Sequence, residues 1–108
     1  MKIYISGPMT GHPDHNRAGF ETAATRIREA GHEPLNPWRA DLAHADPPLT
    51  WYECMMESLT LLGEAEAIML LPGAEHSPGS RIEQAMAQRM RLTHFELTDH
   101  APQEETSR

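Results

Sequence analysis

The feature that most constrains the fold is the five-residue apolar run at 67–71, Ala-Ile-Met-Leu-Leu, which is followed after a short loop by Ser77, Pro78, Gly79 and Ser80. A short, uninterrupted apolar run bounded by turn residues is typical of a buried strand. Serine at a helix N-cap followed by proline at the first helical position is a favoured helix start. The stretch therefore predicts a strand, a Gly/Ser loop and a helix, an arrangement that often borders a small-molecule site.

The rest of the chain alternates between strand and helix patterns. We predict strands at 2–6, 33–35, 67–71 and 93–97, and helices at about 16–30, from 51 to about 62, and at about 78–91. This order indicates an α/β fold, a small Rossmann-like or flavodoxin-like parallel sheet of four to five strands with helices on both faces. A single domain is expected over 1–97, with a polar tail over 98–108.

Helical spacing also predicts which side chains face the core. The inner face of the second helix is expected to hold Trp51, Cys54, Met55, Leu59 and Leu62. The inner face of the third is expected to hold Ile82, Ala85, Met86 and Met90. In this interpretation Cys54 is a small buried hydrophobe rather than a nucleophile.

Three irregular stretches, 6–11, 36–49 and 72–80, each follow a predicted strand. Ligands of parallel sheets bind beyond the carboxyl ends of the strands, so these stretches are expected to meet around one pocket. The connection at 36–49 is long for a small domain, which is typical of a binding loop or a lid.

The amino-acid composition argues against several classes of binding partner. Sixteen acidic residues against nine basic ones give 108 residues a net charge of −7, which argues against nucleic-acid polymers and anionic membranes as partners. One cysteine cannot form an internal disulfide, and no apolar run is long enough to span a bilayer. These features predict a cytoplasmic protein.

Glu83 is the leading candidate for chemistry, and two helix starts compete for its role. If Ser80 is the N-cap, Glu83 completes a capping box and only satisfies a backbone amide. If Ser77 is the N-cap, Glu83 lies one and a half turns inside the helix, beyond capping reach. In either register the free amides near Gly79 and Ser80, with the hydroxyls of Ser77 and Ser80, form a site for a phosphate or a sugar hydroxyl.

Other residues are weaker candidates. Glu57 and Glu66 are possible second carboxylates, of which Glu66 is better interpreted as a solvated acid. The segment His12-Pro13-Asp14-His15 has no third ligand at helix spacing, so we predict no metal site.

Several motifs resemble one known family across almost the whole chain. They are Tyr-Ile-Ser-Gly-Pro-Met-Thr-Gly at 4–11, Gly-His-Glu at 31–33, Asn-Pro at 36–37, Leu-Pro-Gly at 71–73 and Ser-x-Gly-x-x-x-Glu at 77–83. The chain resembles the nucleoside 2-deoxyribosyltransferase-like superfamily, which includes the 2'-deoxynucleoside 5'-phosphate N-hydrolases. Within it, the start motif is most similar to a branch common in phage and bacterial genomes.

The resemblance implies roles for named residues. Glu83 corresponds to the glutamate that attacks the anomeric carbon, Tyr4 to the tyrosine that orients it, and Glu57 to an acid on the second helix that is usually aspartate. Backbone and small side chains of two loops correspond to groups that hold the sugar or its phosphate: Ser6, Gly7, Pro8, Met9, Ser77, Gly79 and Ser80. The first loop lacks a basic residue for a phosphate, although Arg39 and Arg81 are candidates.

The expected function is hydrolysis or transfer at the N-glycosidic bond of a nucleoside or nucleoside 5'-monophosphate, with no cofactor, in a homodimer or larger homo-oligomer. The alternative is a non-catalytic nucleotide-binding or sensor module that uses the same loops. A third possibility is a structural partner protein in which Glu83 is only a cap.

Overall fold

A computed structural model describes residues 1–97 and the backbone of Gln103–Glu104. The strands are β1 (Lys2–Ser6), β2 (Glu33–Leu35), β3 (Ala67–Leu70), β4 (Thr93–Glu96) and β5 (Gln103–Glu104). The helices are α1 (Arg17–Glu29), α2 (Ala40–Ala43), α3 (Trp51–Leu62) and α4 (Pro78–Arg89), with short 3-10 segments at Pro13–Asn16 and Ala74–His76.

The sheet has the strand order β2-β1-β3-β4-β5, in which the first four strands are parallel and β5 is antiparallel to β4. Tyr4 of β1 pairs with Leu35 on one side and with Ile68 on the other. The chain leaves β1 to form β2 on one side and then crosses to the other side to form β3. This reversal opens a crevice at the carboxyl ends of β1 and β3, the position where ligands bind in such sheets.

Alternation along β1 separates two cores. Ile3 and Ile5 belong to a cluster with Phe20 and Ile27 of α1 on one face of the sheet. Tyr4 belongs to a second cluster on the opposite face, with residues that include Leu62 of α3 and Ala87 of α4. Because successive side chains of a strand point to opposite faces, Tyr4 and Ser6 both point toward α4.

Helix starts follow the sequence signals. Thr50 is the N-cap of α3 and forms a complete capping box with Glu53. The Glu53 side chain accepts a hydrogen bond from the Thr50 amide at 2.8 Å. Ser77 is the N-cap of α4, its hydroxyl accepts from the Ser80 amide at 3.3 Å, and Pro78 is the first helical residue. The register with Ser80 as N-cap is therefore wrong, and Glu83 is free of any capping role.

Two predicted inner faces need correction. On α3 only Met55 and Leu62 are buried, and Trp51 and Cys54 are exposed. On α4 the buried residues are Ser80, Glu83 and Ala87, whereas Ile82 and Ala85 are exposed. Leu59, Met86 and Met90 do pack against the second core, as predicted, but Ser80 and Glu83 of α4 also point inward because they contact Tyr4 and Ser6 of β1.

The predicted loop and tail also differ in part from the structure. The connection at 36–49 contains one helical turn, α2. The predicted tail at 98–108 lies outside the described residues except for β5, which adds an edge strand to the sheet. Within the described part of the chain, no helix has the length and apolar character needed to cross a bilayer.

We expect Gly7→Ala to lower the free energy of unfolding by about 1–3 kcal/mol, because an overpacked core must shift to admit the methyl group. An added Cβ would lie 2.6 Å from Leu71 Cβ and 2.7 Å from Leu71 Cδ1, and Leu71 is buried. Urea denaturation measures the loss. Gly63→Ala, at an ordinary helical backbone conformation, is the control and should change stability by less than about 1 kcal/mol; equal effects of the two variants would contradict the account.

Candidate active site

A cavity of about 710 Å³ opens at the carboxyl end of β1, within the size range of small-molecule sites. All three stretches predicted to meet contribute to its wall, as do α1 and one stripe of α3. The lining residues from the first and second stretches include Gly7, Pro8, Met9, Thr10, Pro37 and Leu49. Those from the third and from α4 are Gly73, His76, Ser77, Pro78, Gly79, Ser80 and Glu83.

Glu83 is held by two hydroxyl groups of β1. The Tyr4 phenol donates to Glu83 Oε2 at 2.7 Å, and the Ser6 hydroxyl donates to Glu83 Oε1 at 2.6 Å. Tyr4 and Ser6 have no exposed surface and Glu83 is only 6% exposed, so the carboxylate is almost entirely removed from solvent. A buried carboxylate needs such donors, since burying a charge without partners is costly.

More side chains stand behind these donors. Ser80 Oγ lies 2.6 Å from Ser6 Oγ, and Gln84 Nε2 donates to Ser80 Oγ at 3.2 Å. Ser58 of α3 lines the same cavity, and its hydroxyl lowers the pKa of the Tyr4 phenol through a side-chain hydrogen bond. The carboxylate is therefore the centre of a polar cluster built from β1, α3 and α4.

The surroundings shift the pKa values of both Glu83 and Tyr4. Burial raises the pKa of Glu83 above its ordinary value, and the hydrogen bonds from Ser6 and Tyr4 oppose that rise. Burial, then the nearby Glu83 charge, raises the pKa of Tyr4 well above its ordinary value. The phenol therefore stays protonated and serves as a donor, while Glu83 is an acid whose pKa lies closer to neutrality than that of a solvated glutamate.

A left-handed turn closes one side of the cavity. Asp14, His15 and Asn16 have φ values of 46°, 53° and 66°, in a region that residues other than glycine seldom occupy. Asn16 Nδ2 donates to the Pro8 carbonyl at 2.9 Å, and Trp38 Nε1 donates to the Asp14 carbonyl at 3.0 Å. These bonds fix the turn against both the first loop and the 36–49 connection.

Further contacts join the same two segments. Arg17 lies over the Trp38 ring at 4.8 Å, and His44 Nε2 lies 2.9 Å from Asp14 Oδ1. The His44 and Trp38 rings meet edge to face with centroids 5.9 Å apart. We call Asp14, Asn16, Arg17, Trp38 and His44 the loop clasp, because together they bind the 36–49 connection to the turn at the cavity wall.

The predicted substrate-binding residues divide into two groups. Gly7, Pro8, Met9, Ser77 and Gly79 line the cavity, as does Ser80. Ser6 and Ser80 are buried and their hydroxyls contact the Glu83 cluster.

Glu57 lies elsewhere: it is exposed and lines a separate cavity of about 320 Å³ with Arg39 and Glu64. Glu66 accepts from the Lys2 amide at 2.9 Å, at the opposite end of β1 from Ser6. Arg39 pairs with Asp41 at 2.7 Å, and Arg81 is exposed and absent from the cavity lining.

Sequence reasoning missed several lining residues. Trp51, Cys54, Met55 and Ser58 follow helical spacing and line the cavity, so this stripe of α3 faces the site instead of the core. The helical spacing of these residues is evident in the sequence, but the prediction that this side of α3 faces the core was wrong. Cys54 is exposed at its surface, but partial burial of the thiol and then the neighbouring Glu53 raise its pKa, which disfavours the thiolate needed for attack.

Histidines also line the site: His12, His15 and His76. Their placement depends on the left-handed turn and on the 3-10 segment Ala74–His76, neither of which carries a periodic signal in the sequence. The structure brings together no group of three metal-ligating side chains among the residues it describes.

Comparison with solved structures identifies the fold. A 2-desoxiribosyltransferase from Leishmania mexicana superposes with a TM-score of 0.62 at 19% sequence identity, and the match covers 90% of this chain and 65% of that one. At this identity the likeness shows the fold alone, and the chain spans slightly less than two thirds of the solved protein. The protein is thus a small α/β domain with a deoxyribosyltransferase-like fold.

The family follows from sequence comparison. Residues 1–95 match the model of a domain of unknown function, DUF4406, and the chain belongs to that family. No curated protein matches the chain at a significant level. The family description names no activity, so function has to be argued from the site.

We expect the free energy of unfolding of Glu83→Gln to exceed that of wild type by an amount that grows as the pH rises above about 4.5, the ordinary glutamate pKa. A raised folded-state pKa means that the Glu83 contribution is fully present below that ordinary value and is lost as pH rises through the folded-state pKa. Glutamine keeps the shape and does not ionise. Urea denaturation from pH 4 to pH 8 measures the difference, and Glu29→Gln, an exposed carboxylate on α1, is the control. A difference that does not vary with pH would contradict the expected ionisation.

We expect Trp38→Phe to loosen the loop clasp, because phenylalanine keeps the ring but loses the bond to the Asp14 carbonyl. The expected cost is about 1 kcal/mol of unfolding free energy, with faster amide hydrogen exchange in the clasp than elsewhere. Hydrogen-exchange NMR measures this. Trp51→Phe is the control, since that side chain is 56% exposed and lies outside the clasp; uniform acceleration across the sheet would argue against a local role.

Proposed function

We propose that this protein cleaves the N-glycosidic bond of a nucleoside or nucleoside 5'-monophosphate, with Glu83 as the nucleophile and the sugar passed to water or to another base. The observation that carries the proposal is the buried Glu83 carboxylate, held at both oxygens by donors and lining a cavity of nucleoside size. The fold shared with a 2-desoxiribosyltransferase supports the same reaction class.

The chemistry balances without a cofactor. A carboxylate oxygen of Glu83 attacks the anomeric carbon, the C–N bond breaks, and its electron pair leaves with the base, which takes up a proton. Water, or the nitrogen of an incoming base, then attacks the same carbon and gives its proton to the group that protonated the departing base, while the carbon–oxygen bond to Glu83 breaks and frees the carboxylate. The bonds from Tyr4 and Ser6 keep the carboxylate oriented in both steps, which is how positioning lowers a barrier.

The proton for the departing base requires a donor other than Glu57. That residue was the predicted acid, and it lies in the neighbouring cavity with no hydrogen bond to the Glu83 cluster. The imidazoles of His12, His15 and His76 line the same cavity as Glu83, and imidazole is suited to proton transfer near neutral pH. We assign general-acid chemistry to this group.

A second candidate function is favoured by the position of Glu57 outside the cavity. Glu83 is the only carboxylate among the described residues that line the cavity, whereas glycosidic cleavage commonly uses a pair. A nucleotide-binding or sensor module would need only one, with Glu83 accepting a hydrogen bond from a sugar hydroxyl. In both functions the partner is a nucleoside or nucleotide, and a phage or bacterial context, a cytoplasmic location and a homo-oligomer remain predictions.

Base release from a panel of nucleosides and 5'-monophosphates, followed by chromatography, tests the proposal. We expect release by wild type and a fall of at least about 100-fold in Glu83→Gln, the order expected for loss of a catalytic group. Glu29→Gln should match wild type. Glu57→Gln should stay within a few-fold, and a loss as large as that of Glu83→Gln would restore Glu57 as the second acid.

Two other results separate the remaining functions. Stabilisation of the fold by a nucleotide, without base release from any member of the panel, would replace the enzyme with the binding module. If the panel gives no base release and no shift in melting temperature, the proposed nucleotide site is rejected altogether.

A further inference from the structure

The cluster behind Glu83 contains a chain of hydrogen bonds whose direction can be worked out. It runs through Gln84, Ser80 and Ser6 to Glu83 Oε1, with distances of 3.2, 2.6 and 2.6 Å. Ser6 and Ser80 are 0% and 2% exposed, so no bulk water competes for these contacts. We call this series the donor chain.

The direction is set at the Gln84 end by a backbone group. Gln84 Nε2 donates to the Ala74 carbonyl at 3.3 Å, and a carbonyl can only accept. The amide nitrogen, not the amide oxygen, therefore faces both Ala74 and Ser80. Its two protons go to these two acceptors, so Ser80 receives a hydrogen bond from Gln84.

Each hydroxyl then has one proton left to place. The Ser6 proton goes to the Glu83 carboxylate, so the 2.6 Å contact between Ser6 and Ser80 must use the Ser80 proton. Gln84 donates to Ser80, Ser80 to Ser6, and Ser6 to Glu83. If Glu83 carried a proton on Oε1 and donated it to Ser6, the series would run backward and end at an amide NH₂ group, which cannot accept.

We propose that Gln84 is a positioning residue: by donating to both Ser80 and the Ala74 carbonyl, it fixes the direction of the donor chain so that Oε1 of Glu83 always receives a proton donor. This favours the ionised carboxylate in a site whose burial disfavours it. The proposal rests on the proposed function only in treating Glu83 as the nucleophile, because the effect on Glu83 ionisation exists without turnover.

Other groups near Glu83 could also affect its measured pKa and have to be considered. Tyr4 on β1 donates to Oε2, the carboxylate oxygen that the donor chain does not reach, and Ser58 on α3 acts on the Tyr4 phenol. The other titratable groups that line the cavity are His12, His15, His76 and Cys54. Glu75 lies 3.5 Å from His76, and Asp14 belongs to the same turn as His15. None of these is altered by substitution at Gln84, so a change there isolates the donor chain.

The first measurement is the pKa of Glu83, followed by NMR of carboxyl-labelled glutamate and assigned with Glu83→Gln. Gln84→Met removes the donor at similar length, and we expect a rise of about 0.5–1 pH unit, the equivalent of one net hydrogen bond. Gln88→Met, one turn further along α4 and exposed, is the control and should leave it unchanged.

A double-substitution cycle decides whether the effect passes through the serines. In a Ser6→Ala background the donor chain is broken next to Glu83, so Gln84→Met should add no further shift. A shift of equal size in both backgrounds would show that Gln84 acts through space and would overturn the proposal. So would a wild-type Glu83 pKa in Gln84→Met. Gln84→Leu, which also removes the donor and adds no charge, keeps the test decisive if Gln84→Met does not fold, since its shift must also disappear when it is combined with Ser6→Ala.

Activity gives an independent measurement. With a substrate from the base-release panel, the acidic limb of the pH profile of kcat/KM should move to higher pH in Gln84→Met by the same amount as the Glu83 pKa, and Gln88→Met should leave it in place. If no substrate is found, the proposed function fails while the NMR titration still judges the donor chain. If the titration shows no shift but base release depends on Glu83, the donor chain fails and the proposed function stands.

Discussion

The contact on which the rest of the site depends joins helix α4 to strand β1 through a buried carboxyl group. Tyr4 and Ser6 lie on the same face of β1, and both donate to Glu83 of α4. An ionised carboxylate in that position is tolerable only while both donors are present, because its own burial opposes ionisation. The strand, the start of α4 and the cavity between them are therefore specified together.

Much of this arrangement could be predicted from residues that carry strong local signals. Thr50 with Glu53, and Ser77 with Pro78, start α3 and α4 where capping chemistry places them. The apolar run at 67–71 gives β3, and the alternation of strands and helices gives the confirmed α/β class. The meeting of three loops follows from the geometry of parallel strands.

The remainder depends on contacts between distant segments. Spacing alone shows that Trp51, Cys54, Met55 and Ser58 share one side of α3, but whether that side meets core or cavity depends on how far α3 lies from α4. Glu57 was placed at the site by resemblance, and one step of about 100° around the helix axis separates it from Ser58, which does contact the cluster. The left-handed turn at 14–16 leaves no periodic trace, since it is held by bonds to Pro8 and Trp38.

The alternation of side chains between the two faces of β1 limits which insertions and deletions this strand can accept in evolution. Ile3 and Ile5 fill the core under α1, while Tyr4 and Ser6 serve the cavity on the opposite face. Deleting or inserting one residue before Ser6 would exchange the two faces, aiming isoleucines at a carboxylate and hydroxyls at an apolar core. The length of this first strand is therefore under a constraint that no single side chain reveals.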